Sequence, residues 1–279
     1  MSGNVGTTIV NKKAKINTGA FNAPGLKKLF YNLISLGIFV AIWSLLASLF
    51  KSSFFPTPDG VVNALVNLIV HGDLEGYTLW EHTWVSTVRI AAGFFVALIM
   101  GVPLGLLMGL YPTIYERTSA IIEPIRFIPP IAWVPMAIVL LVGFSRYVFL
   151  IWLGAFFPIF INTMVSVPRV DPIWKDVVKV YGGNRSFIIK KVVFPAVLPD
   201  IFAGMRVSLG VAWMCIVAAE MIGGETVGLG RLILKYADLM RMNEVVVGML
   251  FIGLIGFILN EVLIRIEKRL FRWRAEVSL

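Results

Sequence analysis

Six long apolar runs, separated by short polar stretches, organise the 279-residue chain. The first covers residues 29–50, about the 20 residues a helix needs to cross the hydrocarbon core of a bilayer. The same pattern predicts spans over 85–110, 118–143, 148–167, 197–222 and 245–264. After the first span, Phe54-Phe55-Pro56-Thr57-Pro58 breaks the chain. Residues 59–70 then read as an amphipathic helix at the outer interface, with Asp59 as its N-cap. On the second span Ala97, Gly101, Gly105 and Gly109 recur every four residues, a small-residue stripe that lets another helix approach closely. The third contains Pro124, Pro129, Pro130 and Pro135 and must be broken or kinked; the fourth contains Pro158. Residues 223–243 mix glycine, leucine and charges and predict a short outer helix.

Composition agrees with this pattern. The chain is 58% hydrophobic and 15% charged, too apolar for a soluble protein of its size. The net charge of +9 does not point to nucleic acid, because the cations avoid the apolar runs and cluster at their ends. The N-terminal tail, the 111–117 loop, the 168–197 loop and the C-terminal stretch from Arg265 onward together hold 17 lysines and arginines, against five in the opposite loops. Both termini are therefore expected in the cytoplasm. The predicted fold class is an all-α membrane protein of six transmembrane helices. A single transmembrane domain, 29–270, is expected between a flexible cytoplasmic tail at 1–28, read as no cleaved signal peptide, and a second tail at 271–279. Cys215 is the single cysteine, the two histidines His71 and His82 have no metal-site spacing, and no P-loop sequence occurs.

One polar segment carries a pattern of its own. In Asp176–Pro195, DVVKVYGGNRSFIIKKVVFP, residues 173–181 can form a short helix with Val177, Val178 and Tyr181 on one side and Lys175 and Lys179 on another. Gly182-Gly183-Asn184 is a turn sequence, and residues 186–193 can form a second helix that Pro195 stops. Such a segment is either a solvated basic loop or a surface whose apolar side packs against a partner.

Arg89, Glu123, Arg126, Arg206 and Glu220 fall within or at the ends of the spans, where ionisable groups are functional candidates. RFIPPIAW at 126–133 echoes RVSLGVAW at 206–213, so Arg126 and Trp133, like Arg206 and Trp213, are seven residues apart and expected on one helix stripe. Glu220 continues the second stripe. The functional reading is a translocation path from Arg126, Trp133, Arg206, Trp213, Glu220 and Glu123, whose arginines attract an anion. The structural reading is internal pairing, Glu123 with Arg126 and Arg206 with an acid on a neighbouring helix. Arg89 is expected to snorkel to the outer interface.

The spacing of the 176–195 segment resembles the cytoplasmic signature of membrane subunits of ATP-binding-cassette (ABC) importers, E-A-A-x3-G-x9-I-x-L-P. Gly182 and Pro195 match literally; Asp176, Val177-Val178, Val192 and Phe194 stand in for the other positions. Residues 87–109, EPIRFIPPIAWVP and SLGVAWMCIVAAEM are similar to the permease branch serving nitrate, sulfonate, taurine and bicarbonate importers, over about residues 30–270. The resemblance implies a type I ABC importer permease fold in the cell (inner or plasma) membrane. It implies a homodimer in membrane lipid, two cytoplasmic ATP-binding subunits and an extracytoplasmic substrate-binding protein, without nucleic acid. It assigns coupling to the ATPase to Asp176, Val177, Val178, Tyr181, Gly182, Gly183 and Pro195, within the coupling-helix region 173–187. ATP and magnesium then belong to the partner ATPase, and this chain has no cofactor, catalytic residue or metal site of its own. Thiamine-precursor permeases share the pattern and are the alternative. An ion-coupled secondary transporter is a further rival, but Glu123 and Glu220, the acids in the spans, sit toward the ends. A membrane enzyme would need a nucleophile–base or metal constellation, and no such pattern occurs in the sequence.

Overall fold

The computed structural model describes residues 24–50 and 55–271, with side chains from residue 30 onward. It divides into two units at residue 50. The first contributes α1 (Pro24–Phe50), long and apolar enough to cross a membrane. In the second unit α3 (Leu79–Leu110), α6 (Phe144–Ser166), α9 (Phe194–Ile222) and α11 (Met242–Leu270) meet the same test. A sixth span is broken. There α4 (Pro112–Phe127) and α5 (Val134–Leu140), with a 3-10 turn over Pro130–Trp133, bend by 86° at the break. Pro129 and Pro130 cause it, since neither can donate a helical hydrogen bond and both push the preceding residue toward extended backbone. The remaining described helices are α2 (Pro58–Val70), α7 (Pro172–Val180), the one-turn α8 (Arg185–Ile188) and α10 (Leu229–Asp238). No strand occurs among the described residues.

α6 is the centre of the second unit. On one side it receives the small-residue stripe of α3. A Cβ on Gly93 would meet Ile151, one on Gly101 Ile159, one on Gly105 Thr163 and one on Gly109 Val167, at 2.5–3.1 Å. The two helices therefore run parallel in four-residue steps, and only residues without a bulky side chain permit this approach. On the other side α9 runs antiparallel. Gly204 lies against Asn162 and Pro158, while Gly154 lies against Val211 and Pro130, the last at 3.6 Å from a built Cβ. α11 returns along α9, with Trp213 beside Gly256 and Arg206 reaching Glu267. Membrane helices gain little from hydrophobic burial against one another, so such close contacts hold the bundle.

Several local expectations change. The N-cap of α2 is Thr57, whose hydroxyl accepts the Gly60 N–H at 3.2 Å, and Asp59 sits in the first turn instead. α3 begins at a capping box between Thr78 and Glu81, earlier than the expected residue 85. Pro195 does not stop a helix. A π turn over Ile189–Val193 widens the backbone before it, and α9 then passes through Pro195 in its first turn, where a missing N–H is tolerated. α1 starts at Pro24, before the expected residue 29; most of the 1–28 and 271–279 tails lies outside the described residues.

Candidate functional site

The 168–197 loop is built on a packed root. Val167, Val170, Val193, Val197 and Ile201 form a buried cluster against Leu106 and Leu110 at the end of α3. From this root α7 starts at Asp171, whose carboxylate accepts the Ile173 N–H at 2.9 Å. It ends where Gly182 takes φ +77°, with the Gly183 N–H reaching back to the Val178 carbonyl at 2.8 Å and the Gly182 N–H to Lys179 at 2.9 Å. This left-handed C-terminal closure favours glycine because a Cβ there crowds the backbone. Asn184 restarts the chain by accepting the Phe187 N–H at 2.8 Å.

The apolar side of α7 is broader than expected. Ile173, Trp174, Val177, Val180 and Tyr181 are all exposed, Val180 and Tyr181 by 84% and 87%. Val178 departs from the expected face: it is half-buried and lies against Gly183. Asp176 pairs with Lys179 at 2.8 Å on the surface. Burying an exposed apolar side chain of this size is worth about 1.5–3 kcal/mol, so the stripe is a ready docking surface at the end of a rigid root.

Each of the five intramembrane candidates has a charged partner. Arg126 reaches Glu123 at 3.1 Å and stacks on Phe127; Glu123 also accepts from Tyr115. Arg206 reaches Glu267 of α11 at 3.3 Å, and its side chain stays 37% exposed. The structure thus contains both internal pairings. Arg126 and Trp133 do not share a helix stripe, because the 86° break falls between them, whereas Arg206 and Trp213 stay on continuous α9. The indole nitrogens of Trp133 and Trp213 are buried without a hydrogen-bond partner. The echoed stretches approach each other around Gly154, where Pro130 and Val211 converge.

Glu220 and Arg89 depart most from expectation. Arg89 does not reach for the interface; it is 7% exposed, donates to Glu220 at 2.8 Å and to the Val227 carbonyl at 2.9 Å, and stacks on Tyr147. Glu220, 1% exposed, also accepts from Ser86 at 2.8 and 2.9 Å and from the Gly230 N–H at 3.0 Å. It is sealed in this network and lines no open path. The Gly228 N–H donates to His82 Nδ1 at 3.0 Å and the Leu229 N–H to Ser86 at 2.9 Å, so the 227–230 loop folds back onto α3. His82, Ser86 and Arg89 are spaced i, i+4, i+7 in an apolar run, the signal that could have identified them as one buried face.

On the outer side of this network Lys235 of α10 holds Asp73 and Glu75, each at 3.0 Å. Burial pushes the Asp73 carboxyl up. The Lys235 ammonium and the backbone N–H groups of Glu75 and Tyr77 outweigh that and leave it below its ordinary value. Burial likewise pushes Lys235 down, while its bonds to Asp73 and Glu75 leave it above its ordinary value. The pair is therefore fully charged at neutral pH and fixes α10 to the loop after α2.

Among the described residues no group of three or more His, Cys, Asp or Glu could hold a metal ion. Residues 101–275 match the family described as binding-protein-dependent transport system inner membrane component. An ABC transporter permease protein of Methanocaldococcus jannaschii is 39% identical over 93% of this chain and 95% of its own length. The taurine transport system permease protein TauC of Escherichia coli is 29% identical over 98% of this chain and 100% of its own. The nitrate import permease protein NrtB of a Synechocystis species is 31% identical over 84% and 86%. Among solved structures, the inward-facing MetNI methionine ABC transporter shares the fold, with a TM-score of 0.61 and 17% identity over 69% of this chain and 95% of that one. From its apolar spans, its cytoplasmic loop and these relatives together, the chain belongs to the binding-protein-dependent transport system inner membrane components, the multi-pass permease subunits of ABC importers that leave ATP hydrolysis to a partner.

Proposed function

We propose that this permease pairs with a second copy of itself to form the path for a small anion of the nitrate, sulfonate, taurine or bicarbonate class. Two cytoplasmic ATPase subunits, which bind ATP and magnesium, drive it, and an extracytoplasmic binding protein delivers the cargo. The observation that carries this reading is the exposed stripe of α7, an apolar surface on a rigid root in a cytoplasmic loop. In this reading the stripe seats in the ATPase, with Val177 and Tyr181 in contact, Asp176, Val178, Gly182 and Gly183 shaping α7 and its closure, and Pro195 joining the loop to α9. The rocking of the ATPase then reaches the bundle through the valine root.

The names of the relatives support an anion as cargo. So does Arg206, whose side chain stays partly exposed beside Glu267. In the path, Arg206 and Arg126 attract the anion, and their acids keep the attraction weak enough for release. Trp133 and Trp213 supply indole N–H donors that lack a partner. The test is ATP hydrolysis by the reconstituted complex with its binding protein, over taurine, nitrate, an alkanesulfonate, bicarbonate and a neutral aminopyrimidine. One of the anions is expected to raise hydrolysis several-fold. Stimulation by the aminopyrimidine alone would replace the anion with a thiamine-precursor cargo.

A further inference from the structure

A groove of about 430 Å³ lies behind α7, on the side opposite its apolar stripe. It is lined by Lys175, Lys179 and Arg185 together with the apolar side chains of Leu110, Ile188 and Ile189. Helix geometry separates the two sides. Val177 lies four residues after Ile173, and Val180 and Tyr181 lie three and four after Val177, and the two lysines fall on the reverse of that row. Occupation of the groove therefore leaves the stripe free for a partner.

Its place along the bundle follows from the elements that frame it. Leu110 is the last residue of spanning α3, and Arg185 opens the apolar helical stretch Arg185–Ile222. The groove thus lies at the cytoplasmic ends of two helical stretches long and apolar enough to cross the membrane. Charge is one-sided there. Lys179 has Asp176 at 2.8 Å, but among the described residues no carboxylate pairs with Lys175 or Arg185, and the guanidinium of Arg185 lies 4.7 Å over the Tyr111 ring. Lys190 and Lys191, one turn further on, add cations and no acid.

The geometry points to a binding site for an anionic phospholipid of the cytoplasmic leaflet. The phosphate rests between Lys175, Lys179 and Arg185, and the upper acyl chain lies on Leu110, Ile188 and Ile189. Basic rims at the cytoplasmic ends of spans attract anionic headgroups, and an apolar floor has no use for a free, fully hydrated phosphate. A lipid held there joins the base of α7 to the end of α3, so the stiffness of the coupling loop depends on the membrane around it. The site rests on the cytoplasmic placement of the loop and not on the cargo, so the hydrolysis test above can fail while this one succeeds.

The experiment is native mass spectrometry of the transporter, purified through this chain from vesicles of phosphatidylcholine and phosphatidylglycerol. Wild type is expected to retain phosphatidylglycerol in preference to phosphatidylcholine. Lys175→Gln and Arg185→Gln should each lower retention about five-fold, and the charge-keeping Lys175→Arg should restore it. Equal retention of the two lipids by wild type would overturn the site, whatever the variants do. Displacement of the lipid by millimolar inorganic phosphate would reassign the groove to a free anion. Loss of the ATPase subunits from the double Gln variant, with lipid retention unchanged, would reassign its cations to a protein contact.

Discussion

Arg89 is an arginine near a membrane interface whose role depends on what reaches it from elsewhere in the chain. Its partners, Glu220 and the Val227 carbonyl, lie more than a hundred residues away, and Tyr147 stacks on it from a third helix. Glu220 is satisfied on both oxygens by Arg89, Ser86 and the Gly230 N–H. Removing one partner from a buried pair leaves the other charged and stranded, at about 3–5 kcal/mol. Glu220→Ala is therefore expected to lower the melting temperature of the purified protein by about 10 °C. Joint replacement of Arg89 and Glu220 by leucine should recover part of that loss. A Glu220→Ala protein that melts like wild type would show that the network adds nothing to stability.

Among the elements, α7 and its closure separate shape from contact. A side chain on Gly182 would have nothing within 4 Å, so space does not forbid one; the backbone angle of +77° does. Gly182→Val should cost about 1–2 kcal/mol locally, and asparagine, which tolerates that angle, should cost less. We expect the valine variant to insert and assemble but to hydrolyse ATP without transport, as read by paired hydrolysis and uptake in proteoliposomes. Wild-type uptake by that variant would remove the glycine from the coupling mechanism. The same scale explains why one eight-residue echo gives two structures. RFIPPIAW carries two prolines and turns by 86°, while RVSLGVAW carries none and stays helical.

The helix directions of the second unit agree with the expected alternation of spans. α3 and α6 run parallel and α9 antiparallel to both, as the second, fourth and fifth spans of a six-span chain must; the charge asymmetry then puts the chain ends in the cytoplasm. The outer loops then carry α2, α10 and the Asp73–Lys235 pair, while the 168–197 loop faces the cytoplasm. In a Cys215→Ser background, cysteine at the exposed Ser186 should react with an impermeant reagent only after the inner face is opened. Cysteine at Leu74, 60% exposed, should react in intact cells. Labelling of residue 186 from outside would invert the topology and, with it, the proposed coupling role of α7.

Local chemistry determined much of this protein. Span length, the four-residue glycine stripe, the kink at paired prolines and the Gly182 turn each depend on a few neighbouring residues. Each could therefore be read from the amino-acid sequence. Cap identity and the passage of α9 through Pro195 were near misses, because Thr57 and the π turn compete on small energy differences between adjacent residues. The partners of Arg89, Arg206 and Glu220 were a different matter. A buried charge must be neutralised by something, but which distant carboxylate, carbonyl or ring arrives is fixed only when the helices pack. Tertiary structure alone sealed Glu220 away from any path, gave Arg206 to Glu267, and turned the lysines of α7 toward a groove while its apolar stripe stayed open.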